Sequence, residues 1–549
     1  MAVRRTLPLL LLALSLPRPV HADGLPIEPA PGEAESRPHV MPDGRGGALV
    51  TFKTASLKVG AVHLGSGGTP DGGIGFAPAV VPFTIETSEP VRLSLPSDTQ
   101  VVLVSDRSTS TSAVLTSLRA GGAALPGFPV GLAMAHRYPA VVPGLAGRTL
   151  LVSKNSDATS FWTLRAAIIG ANGQVQSSVQ LPSPVQFFNA DRLDATTDGA
   201  GGLIAVFPYY DMTASGSKDL AVFRYTAAGA RPWGDVPRPI VFANGDQTDP
   251  HVVDDGTGGA LLVWTDPRVP AHGSDIYALH IDAGAQRVPG WDFYGQPLCD
   301  ALGEQDQPRL TRDGSGGAWV VWRDRRADST GDLRYTHVLA DGALAPGFTH
   351  SGTELCTAPN AQGDVDLAGD GAGGFFAVWR DDRSGTSDIY AQHVLATGAL
   401  SPGWAVNGRA LTTAAGVQDQ PSIAAVGTGR VIAAWRDARS APARTYALAV
   451  VDAATTGAPR PAATMLRLAA VDPARAGEVR LRVSVPAAGT ASLELVDVSG
   501  RRLERRQLTG PLAGEVVALH PPVALPPGLY FARLSQGGAS ALARVTLLR

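Results

Sequence analysis

The most constraining feature of this 549-residue sequence is a repeat that places a tryptophan at nearly constant intervals. Trp264, Trp322, Trp379 and Trp435 lie 58, 57 and 56 residues apart. Each tryptophan lies at the end of an apolar run that follows a glycine-rich turn, and charged residues come after it. The four segments are DDGTGGALLVWTDPR (254–268), RDGSGGAWVVWRDRR (312–326), GDGAGGFFAVWRDDR (369–383) and AVGTGRVIAAWRDAR (425–439). A fixed period of this length indicates a solenoid, a propeller or an array.

Further units of the repeat precede these four. TDGAGGLIAVF (197–207) and PDGRGGALVTF (42–52) begin in the same way, and weaker units near residues 100–107 and 148–155 fill the gap. The repeats therefore predict eight units, with seven as the alternative count.

Each unit offers four short β-prone runs divided by Gly, Pro and Asp turns, as in PRLTRD, GAWVVWRD, LRYTHVLAD and TELCTA. The second run is apolar almost without interruption, which predicts a strand covered on both faces. Radially stacked four-stranded blades supply such cover. The sequence thus predicts an all-β fold, a β-propeller. The pattern resembles the bacterial secreted β-propeller proteins whose repeats carry Trp-Arg-Asp.

The ends of the array predict how the ring closes. The last unit lacks a fourth strand, because TYALAVVD runs into a proline-rich stretch, whereas LPIEPAPGEAESRPHVMPDG (25–44) copies an outer strand leading into an inner one. We expect residues 25–28 to supply the missing strand of a propeller spanning residues 23–462, which would leave no exposed edge there.

The charged residues after each tryptophan are interpreted as structural. Asp324, Arg326 and Asp332 recur in neighbouring repeats, whereas a reaction needs one asymmetric constellation. No carboxylate pair or histidine confined to one blade is evident, although the divergent residues 91–190 could contain one.

No metal site, cofactor or disulfide is expected. His280, His337 and His393 occur once per blade, so they diverge from the axis and cannot meet at the ~2 Å distances of a zinc site. Cys299 and Cys356 lie 57 residues apart on equivalent outer strands. We predict unpaired, mostly buried thiols, since a disulfide needs Cα atoms within about 7 Å.

One set of polar residues is a candidate ligand site. The loops entering the first strand of four blades place polar groups toward a central channel, where a ligand would sit. The alternative is that these side chains cap neighbouring blades. The set is Asp249, Asp306, Gln307, Asp364, Asp419 and Gln420.

Residues 1–22 are predicted to be a signal peptide. Arg4 and Arg5 precede an apolar run, Leu7 to Leu16, and Val20-His21-Ala22 fits a cleavage site. The Arg4-Arg5 pair is compatible both with an ordinary leader and with a leader for the twin-arginine export route. No segment of the mature chain is long enough to span a bilayer. A basic stripe with interleaved aromatics is absent, which argues against a nucleic-acid partner.

The tail differs in character from the repeats. From residue 463 onward it holds 11 Arg and 6 acidic residues, and alternation in VRLRVSV and SLELVDV predicts a small Ig-like antiparallel sandwich over 471–549, after a linker at 463–470. It resembles the C-terminal (type A) sorting domain of the type IX secretion system. The features that carry the resemblance are Asp472 and Pro473, Gly500 and Arg501 in the turn 496–501, and Gly528, Tyr530 and Arg533 in 528–534.

These resemblances imply a secreted or surface-displayed protein of a Gram-negative bacterium that passes through the periplasm and across the outer membrane by the type IX machinery. We expect a non-enzymatic propeller that binds a polysaccharide or protein. The alternatives are a glycosidase or lyase with its site in the channel, and a purely architectural surface protein.

Overall fold

The computed structural model shows a chain built of β-strands. It describes residues 23–27, 34–43, 46–54, 59–70, 79–81, 92–97, 100–105, 112–119, 130–133, 135–156, 162–172, 174–181, 193–210, 217–327, 329–452, 467–470, 479–497, 501–521, 525–536 and 539–547. These residues contain one short 3₁₀ helix, Leu145–Gly147, and no α-helix. Within the same ranges no helix has the length and apolar character to cross a membrane.

Eight four-stranded antiparallel sheets, named blades 1 to 8, occupy the repeat region of the described chain. Blades 1 to 4 are β2 (Ala34–Pro42), β3 (Ala48–Thr54), β4 (Val59–Leu64) and β5 (Ala79–Val81); β6 (Arg92–Ser97), β7 (Gln100–Ser105), β8 (Ser112–Arg119) and β9 (Val130–Ala133); β10 (Ala135–Pro143), β11 (Thr149–Ser156), β12 (Trp162–Ile169) and β13 (Val175–Gln180); and β14 (Asp194–Thr197), β15 (Leu203–Tyr210), β16 (Lys218–Tyr225) and β17 (Arg238–Val241). Blades 5 to 8 are β18 (Thr248–Asp254), β19 (Ala260–Asp266), β20 (Asp275–Ile281) and β21 (Gln296–Cys299); β22 (Gln305–Arg312), β23 (Ala318–Asp324), β24 (Asp332–Val338) and β25 (Thr353–Cys356); β26 (Gln362–Gly369), β27 (Phe375–Asp381), β28 (Asp388–Val394) and β29 (Arg409–Thr412); and β30 (Gln418–Gly427), β31 (Arg430–Asp437), β32 (Arg444–Val451) and β1 (Leu25–Pro26).

The blades are arranged in a ring. The first strand of each blade contacts the first strand of the next, and β30 of blade 8 contacts β2 of blade 1. The first strands therefore surround the axis, and the later strands lie progressively outward. This topology confirms the predicted all-β propeller.

The repeated tryptophans lie between blades, as the apolar second strands predict. Trp264, Trp322, Trp379 and Trp435 are each 0% exposed. Buried residues of blades 4, 5 and 6 form one continuous cluster that includes Trp264 and Trp322. The apolar faces of neighbouring blades therefore bury one another and form the core. Burial of this apolar area makes the main favourable contribution to the free energy of folding.

The N-terminal segment completes blade 8. Leu25 pairs with Ala447 and Pro26 with Tyr446, and the Ile27 nitrogen donates to the Thr445 carbonyl at 3.1 Å. Gly24 lies against the Trp435 ring with no room for a side chain. Gly295, Gly352 and Gly408 lie against Trp264, Trp322 and Trp379 in the same way, each just before an outer strand. The segment thus repeats the local packing of blades 5 to 7; Glu28 is outside the described residues.

The tail forms one five-stranded antiparallel sheet from β33 (Arg467–Ala470), β34 (Val479–Asp497), β35 (Arg502–Leu519), β36 (Gly528–Gln536) and β37 (Ala539–Leu547). The alternation of β34 is visible in its burial: Val479, Leu481 and Val483 are buried, whereas Arg480 and Arg482 are exposed. β33 pairs with β34, so the sheet includes residues that the sequence places in the linker 463–470. Four residues at a sheet edge give too short a pattern to be recognised as a strand.

Candidate functional site

The residues that follow each repeated tryptophan form a buried structural cluster. In blade 7, Trp379 Nε1 donates to Asp381 Oδ2 at 2.8 Å, and Arg383 Nε donates to Asp381 Oδ1 at 2.8 Å. The Arg383 guanidinium also lies 3.8 Å from the Tyr390 ring centroid. The same Trp–Asp–Arg arrangement occurs in blades 5, 6 and 8. Recurrence in four blades indicates a structural element, in which each aspartate accepts from both the tryptophan and the arginine of its own blade.

The histidines of the third strands are also structural. His280 Nε2 lies 3.1 Å from Asp255 Oδ2, and His337 Nε2 lies 3.0 Å from Asp313 Oδ2. The other oxygen of Asp255 accepts backbone hydrogen bonds within the Asp-Gly turn, including one from Gly259 at 2.9 Å. These histidines therefore fasten the turn between strands one and two to strand three of the same blade. In the described part of the chain, no group of three or more His, Cys, Asp or Glu side chains is arranged to hold a metal ion.

The predicted ligand residues lie on a distortion of the innermost strands. Asp249, Gln307, Asp364 and Gln420 have φ values of 47°, 52°, 51° and 53°. At each of these positions the register of the strand pair shifts, which marks a β-bulge. A residue other than glycine in this conformation costs of order 1 kcal/mol. The strain recurs in four consecutive blades.

Several of these side chains bind arginines beside the inner strands. Asp306 accepts two hydrogen bonds from Arg323, both at 2.7 Å. Asp419 accepts from Arg436 Nη1 at 3.2 and 3.3 Å. Asp364 lies 3.3 Å from Arg380 Nε, in an ion pair.

Gln307 makes a contact between blades: its Oε1 accepts from the Asp364 nitrogen of the next blade at 3.4 Å. This one contact is of the neighbour-capping kind, whereas the pairs of Asp306, Asp364 and Asp419 with arginines each lie within a single blade.

A different kind of set, which the sequence analysis missed, consists of the residue two positions after the bulge in blades 5 to 8 and of the residues aligned with it in the repeats of blades 1 and 4. Its members differ from blade to blade, and we name them the inner-strand row: His39, Asp194, His251, Arg309, Asp366 and Ser422. The inner strands are therefore not equivalent from blade to blade, a departure from the repeat that the sequence analysis did not identify. An alignment of the repeats with one another could have revealed this set. The residue at this position changes in charge from repeat to repeat, whereas the tryptophans and the turn glycines around it recur.

Three members of the row form a chain across blades 4, 5 and 6. His251 Nδ1 lies 3.3 Å from Asp194 Oδ2, and Arg309 Nη1 lies 2.6 Å from His251 Nε2. Asp249 extends the group, with Oδ2 3.4 Å from Arg309 Nη1. Because a guanidinium only donates, Nε2 accepts and the imidazole proton sits on Nδ1, facing Asp194. We call Asp194, Asp249, His251 and Arg309 the axial cluster.

The axial cluster is partly open to solvent. The side chains of Asp194, His251, Arg309 and Asp249 are 24%, 22%, 27% and 32% exposed. Arg309 makes all its hydrogen bonds through Nη1, the third being to the Pro308 carbonyl at 2.8 Å. Nε and Nη2 of Arg309 have no acceptor among the residues that the structure describes.

Local electrostatics shift two groups on the row. Burial and the Arg309 charge lower the pKa of His251, but the hydrogen bond to Asp194 and the nearby Asp249 carboxylate outweigh them and raise it above its ordinary value. Burial raises the pKa of Asp366, although the Ile423 backbone donor and the Arg309 charge act in the opposite direction.

Other members of the row bind the neighbouring backbone. Asp194 Oδ2 accepts from the Val252 nitrogen at 3.1 Å, and Asp366 Oδ2 accepts from the Ile423 nitrogen at 3.0 Å. Ser422 Oγ accepts from Val40 N at 3.2 Å, which joins blade 8 to blade 1. The row therefore also holds adjacent inner strands together.

The residues that resemble a sorting domain lie on or beside the tail sheet where they are described. Arg533 Nη2 binds Glu494 Oε2 at 2.6 Å, and this hydrogen bond lowers the pKa of Glu494. The Tyr530 hydroxyl donates to the Pro526 carbonyl at 2.8 Å, Gly528 begins β36, and Arg501 is bound to Asp497. Asp472, Pro473 and Gly500 lie outside the described residues.

No protein-family model matches this sequence, and no curated protein matches it. Among solved structures, a lectin from Burkholderia pseudomallei matches at 11% identity and a TM-score of 0.42, over 67% of this chain and 98% of the lectin. Hydrazine synthase from Kuenenia stuttgartiensis matches at 13% and 0.39, over 68% and 99%. An α-L-arabinanase from Penicillium chrysogenum matches at 11% and 0.33, over 58% and 93%. By its strand topology the chain is a β-propeller, and these similarities assign it no ligand or reaction.

Proposed function

We propose that this protein is a non-enzymatic binding propeller whose axial cluster takes a neutral polyhydroxylated ligand, a glycan. The observation that carries the proposal is the position of Arg309. Its Nη1 binds His251 and Asp249, while Nε and Nη2 have no acceptor in the described part of the chain. A partly exposed guanidinium edge of this kind is suited to two neighbouring oxygen acceptors.

The surroundings of Arg309 favour a neutral ligand over an anion. Asp194 and Asp249 place two carboxylates beside the one guanidinium of the cluster, which disfavours an additional anion at that guanidinium. Sugar hydroxyls both donate and accept, so a diol can accept from Arg309 and donate to a carboxylate. The cluster occurs across one set of blades, as a single binding site requires.

A binding role fits what the carboxylates already do. Asp194 Oδ2 accepts from the backbone of blade 5, and Asp366 Oδ2 from that of blade 8. Such anchored groups hold a site rigid, which reduces the entropy lost on binding.

The test is a glycan array probed with the mature protein. We expect retention of neutral glycans in preference to uronate or sulfated ones, with no release of shortened products on prolonged incubation. Retention of no glycan, or of acidic glycans alone, would overturn the proposal.

A second candidate is a glycosidase or lyase at the same cluster. His251 and Asp366 favour it, because both have raised pKa values, as groups that transfer protons near neutral pH do. New reducing ends formed by the wild type, and lost in His251→Ala, would establish this function in place of binding alone.

We further propose that the protein is exported through the periplasm by residues 1–22 and crosses the outer membrane under the direction of residues 471–549. Support comes from the leader pattern and from the resemblance of the tail to a type IX sorting domain. Deletion of 471–549 should leave the propeller in the periplasm. Undiminished appearance of the truncated protein in the medium or on the cell surface would refute the sorting role.

A further inference from the structure

We propose a second carbohydrate-binding site, distinct from the axial cluster, on the outer edge of blade 5, where a linear neutral polysaccharide chain lies across three exposed aromatic rings. The rings belong to Phe242, Tyr294 and Phe293, which we name the aromatic row. Their side chains are 39%, 39% and 68% exposed.

The rings of the row are continuous. Phe242 and Tyr294 have centroids 6.2 Å apart and Tyr294 and Phe293 have centroids 4.7 Å apart, and both pairs are edge-to-face, with angles of 75° and 84° between the ring planes. The backbone beneath them is fixed, because Arg268 Nη2 donates to the Tyr294 carbonyl at 2.9 Å and also binds Asp266 of the buried cluster. The row is therefore a supported surface that begins beside blade 4 and crosses blade 5.

A cavity lies beside Asp292, the residue that precedes Phe293 in the chain. It has a volume of about 290 Å³ and lies between blades 5 and 6, with Asp292, Gln296 and His350 in its lining. His350 Nδ1 donates to the Pro297 carbonyl at 2.8 Å, which leaves Nε2 without a partner in the described residues. The Asp292 carboxylate, next to Phe293 in sequence, likewise has no hydrogen bond from them. Free polar groups beside an aromatic surface are the combination that fixes and orients a bound ligand.

This combination matches a sugar chain. A pyranose buries its C–H face on an aromatic ring and keeps its hydroxyls at the edge, where Asp292 and His350 can bind them. Three exposed rings side by side offer contact to more than one sugar unit, so the ligand is a chain rather than a monosaccharide.

The row is too small to be a protein interface. At about 200 Å² per aromatic side chain, its three rings expose on the order of 300 Å². A stable interface buries about 800 Å² on each partner.

The row is specific to one blade. The repeat position of Phe293 holds His350 in blade 6 and Val406 in blade 7, and that of Tyr294 holds Ser351 and Asn407. Val406 is 78% exposed. It therefore provides a matched control, an exposed apolar residue at the same place in the repeat without neighbouring rings.

The test is depletion of the mature full-length protein by four insoluble polysaccharides, microcrystalline cellulose, chitin, xylan and mannan, each used alone. We expect binding to at least one of them. Phe293→Ala should weaken it about tenfold, as loss of one stacking ring implies, and Tyr294→Ala similarly. Val406→Ala should bind like the wild type, and Asp292→Asn should weaken binding to a smaller extent.

The same comparison in an Arg309→Ala background, in which the axial cluster is impaired, separates the two sites: Phe293→Ala should still weaken polysaccharide depletion about tenfold there. Depletion by none of the four polymers, wild-type depletion by Phe293→Ala, or no further loss from Phe293→Ala in the Arg309→Ala background would each overturn the second site. A change of oligomeric state in Phe293→Ala, measured by analytical ultracentrifugation, would also overturn it, because the row would then bind another copy of the chain.

Discussion

Arg326 donates three hydrogen bonds to Asp324: from its backbone nitrogen at 3.1 Å, from Nε at 2.8 Å and from Nη2 at 2.6 Å. The same carboxylate accepts from Trp322 Nε1 at 3.0 Å. One aspartate thus fixes both the buried indole and the arginine that follows the strand. Asp324 is 1% exposed, so its charge is stable only with these partners.

Asp324→Ala should therefore destabilise the propeller by about 3 kcal/mol, because it leaves a buried indole N–H and an arginine without their acceptor. Equilibrium unfolding in urea measures the change. The control is Glu354→Ala, which removes the 60% exposed partner of Arg334 and should cost less than about 0.5 kcal/mol. Similar midpoints for the two variants would show that the cluster contributes little.

A cysteine pair can test whether the N-terminal segment closes the ring. Leu25 and Ala447 are directly opposed in antiparallel strands. Opposed residues have Cα atoms about 4.5–5.5 Å apart, within disulfide range. After oxidation and denaturation, Leu25→Cys with Ala447→Cys should label at two thiols, those of Cys299 and Cys356, whereas Leu25→Cys alone should label at three. Four labelled thiols in the double variant would show an open ring.

Asp275 should make stability depend on pH. Burial raises the pKa of Asp275 to about 6, with further raising by Asp300 and Asp266 and an opposing effect of His272. An unfolded Asp titrates near 3.9, so between about pH 4 and 6 the folded state holds a proton that the unfolded state has lost. This carboxyl therefore favours folding most below about pH 4, and the stabilisation is lost as the pH rises through 6.

Asp275→Asn should remove that dependence and raise the free energy of unfolding at pH 8 by up to about 3 kcal/mol. Urea unfolding at pH 5 and pH 8 measures it, with Asp235→Asn, at a 72% exposed position, as the control. Equal pH dependence in wild type and Asp275→Asn would contradict the assignment.

The two thiols should be unreactive while the protein is folded. Cys299 and Cys356 are free and buried, and burial raises the pKa of Cys299 to about 11 and that of Cys356 to about 12. Since the thiolate is the reactive form, maleimide at pH 8 should label neither residue in the native protein and both in guanidinium chloride. Rapid native labelling would place at least one thiol at the surface.

The architecture was predictable because its signals are local. The second strands are apolar throughout and the turns carry glycine, so each blade is readable from its own residues. The closing segment was readable because Gly24 and Leu25 copy the glycine and outer strand of the repeats, and Leu25 does pair with Ala447.

The axial cluster was not predictable in the same way. Its contacts between blades join residues 57 to 60 positions apart, as between Asp194 and His251, and depend on how adjacent blades dock. The bulges also turn the chain, so that Asp306 pairs with Arg323 of its own blade, whereas Asp249 and His251 both contact Arg309 of the next blade. A comparison of the residues at the same position in successive repeats would have identified His251 and Arg309.

The measurement that most directly tests the proposed axial site is calorimetric titration of the glycan that the array retains most strongly. Arg309→Ala should weaken binding at least tenfold, because the free guanidinium edge is lost. Arg312→Ala, three residues along the same strand with a 52% exposed side chain paired to Asp254, should bind like the wild type. Equal affinity of Arg309→Ala and wild type would contradict the proposal.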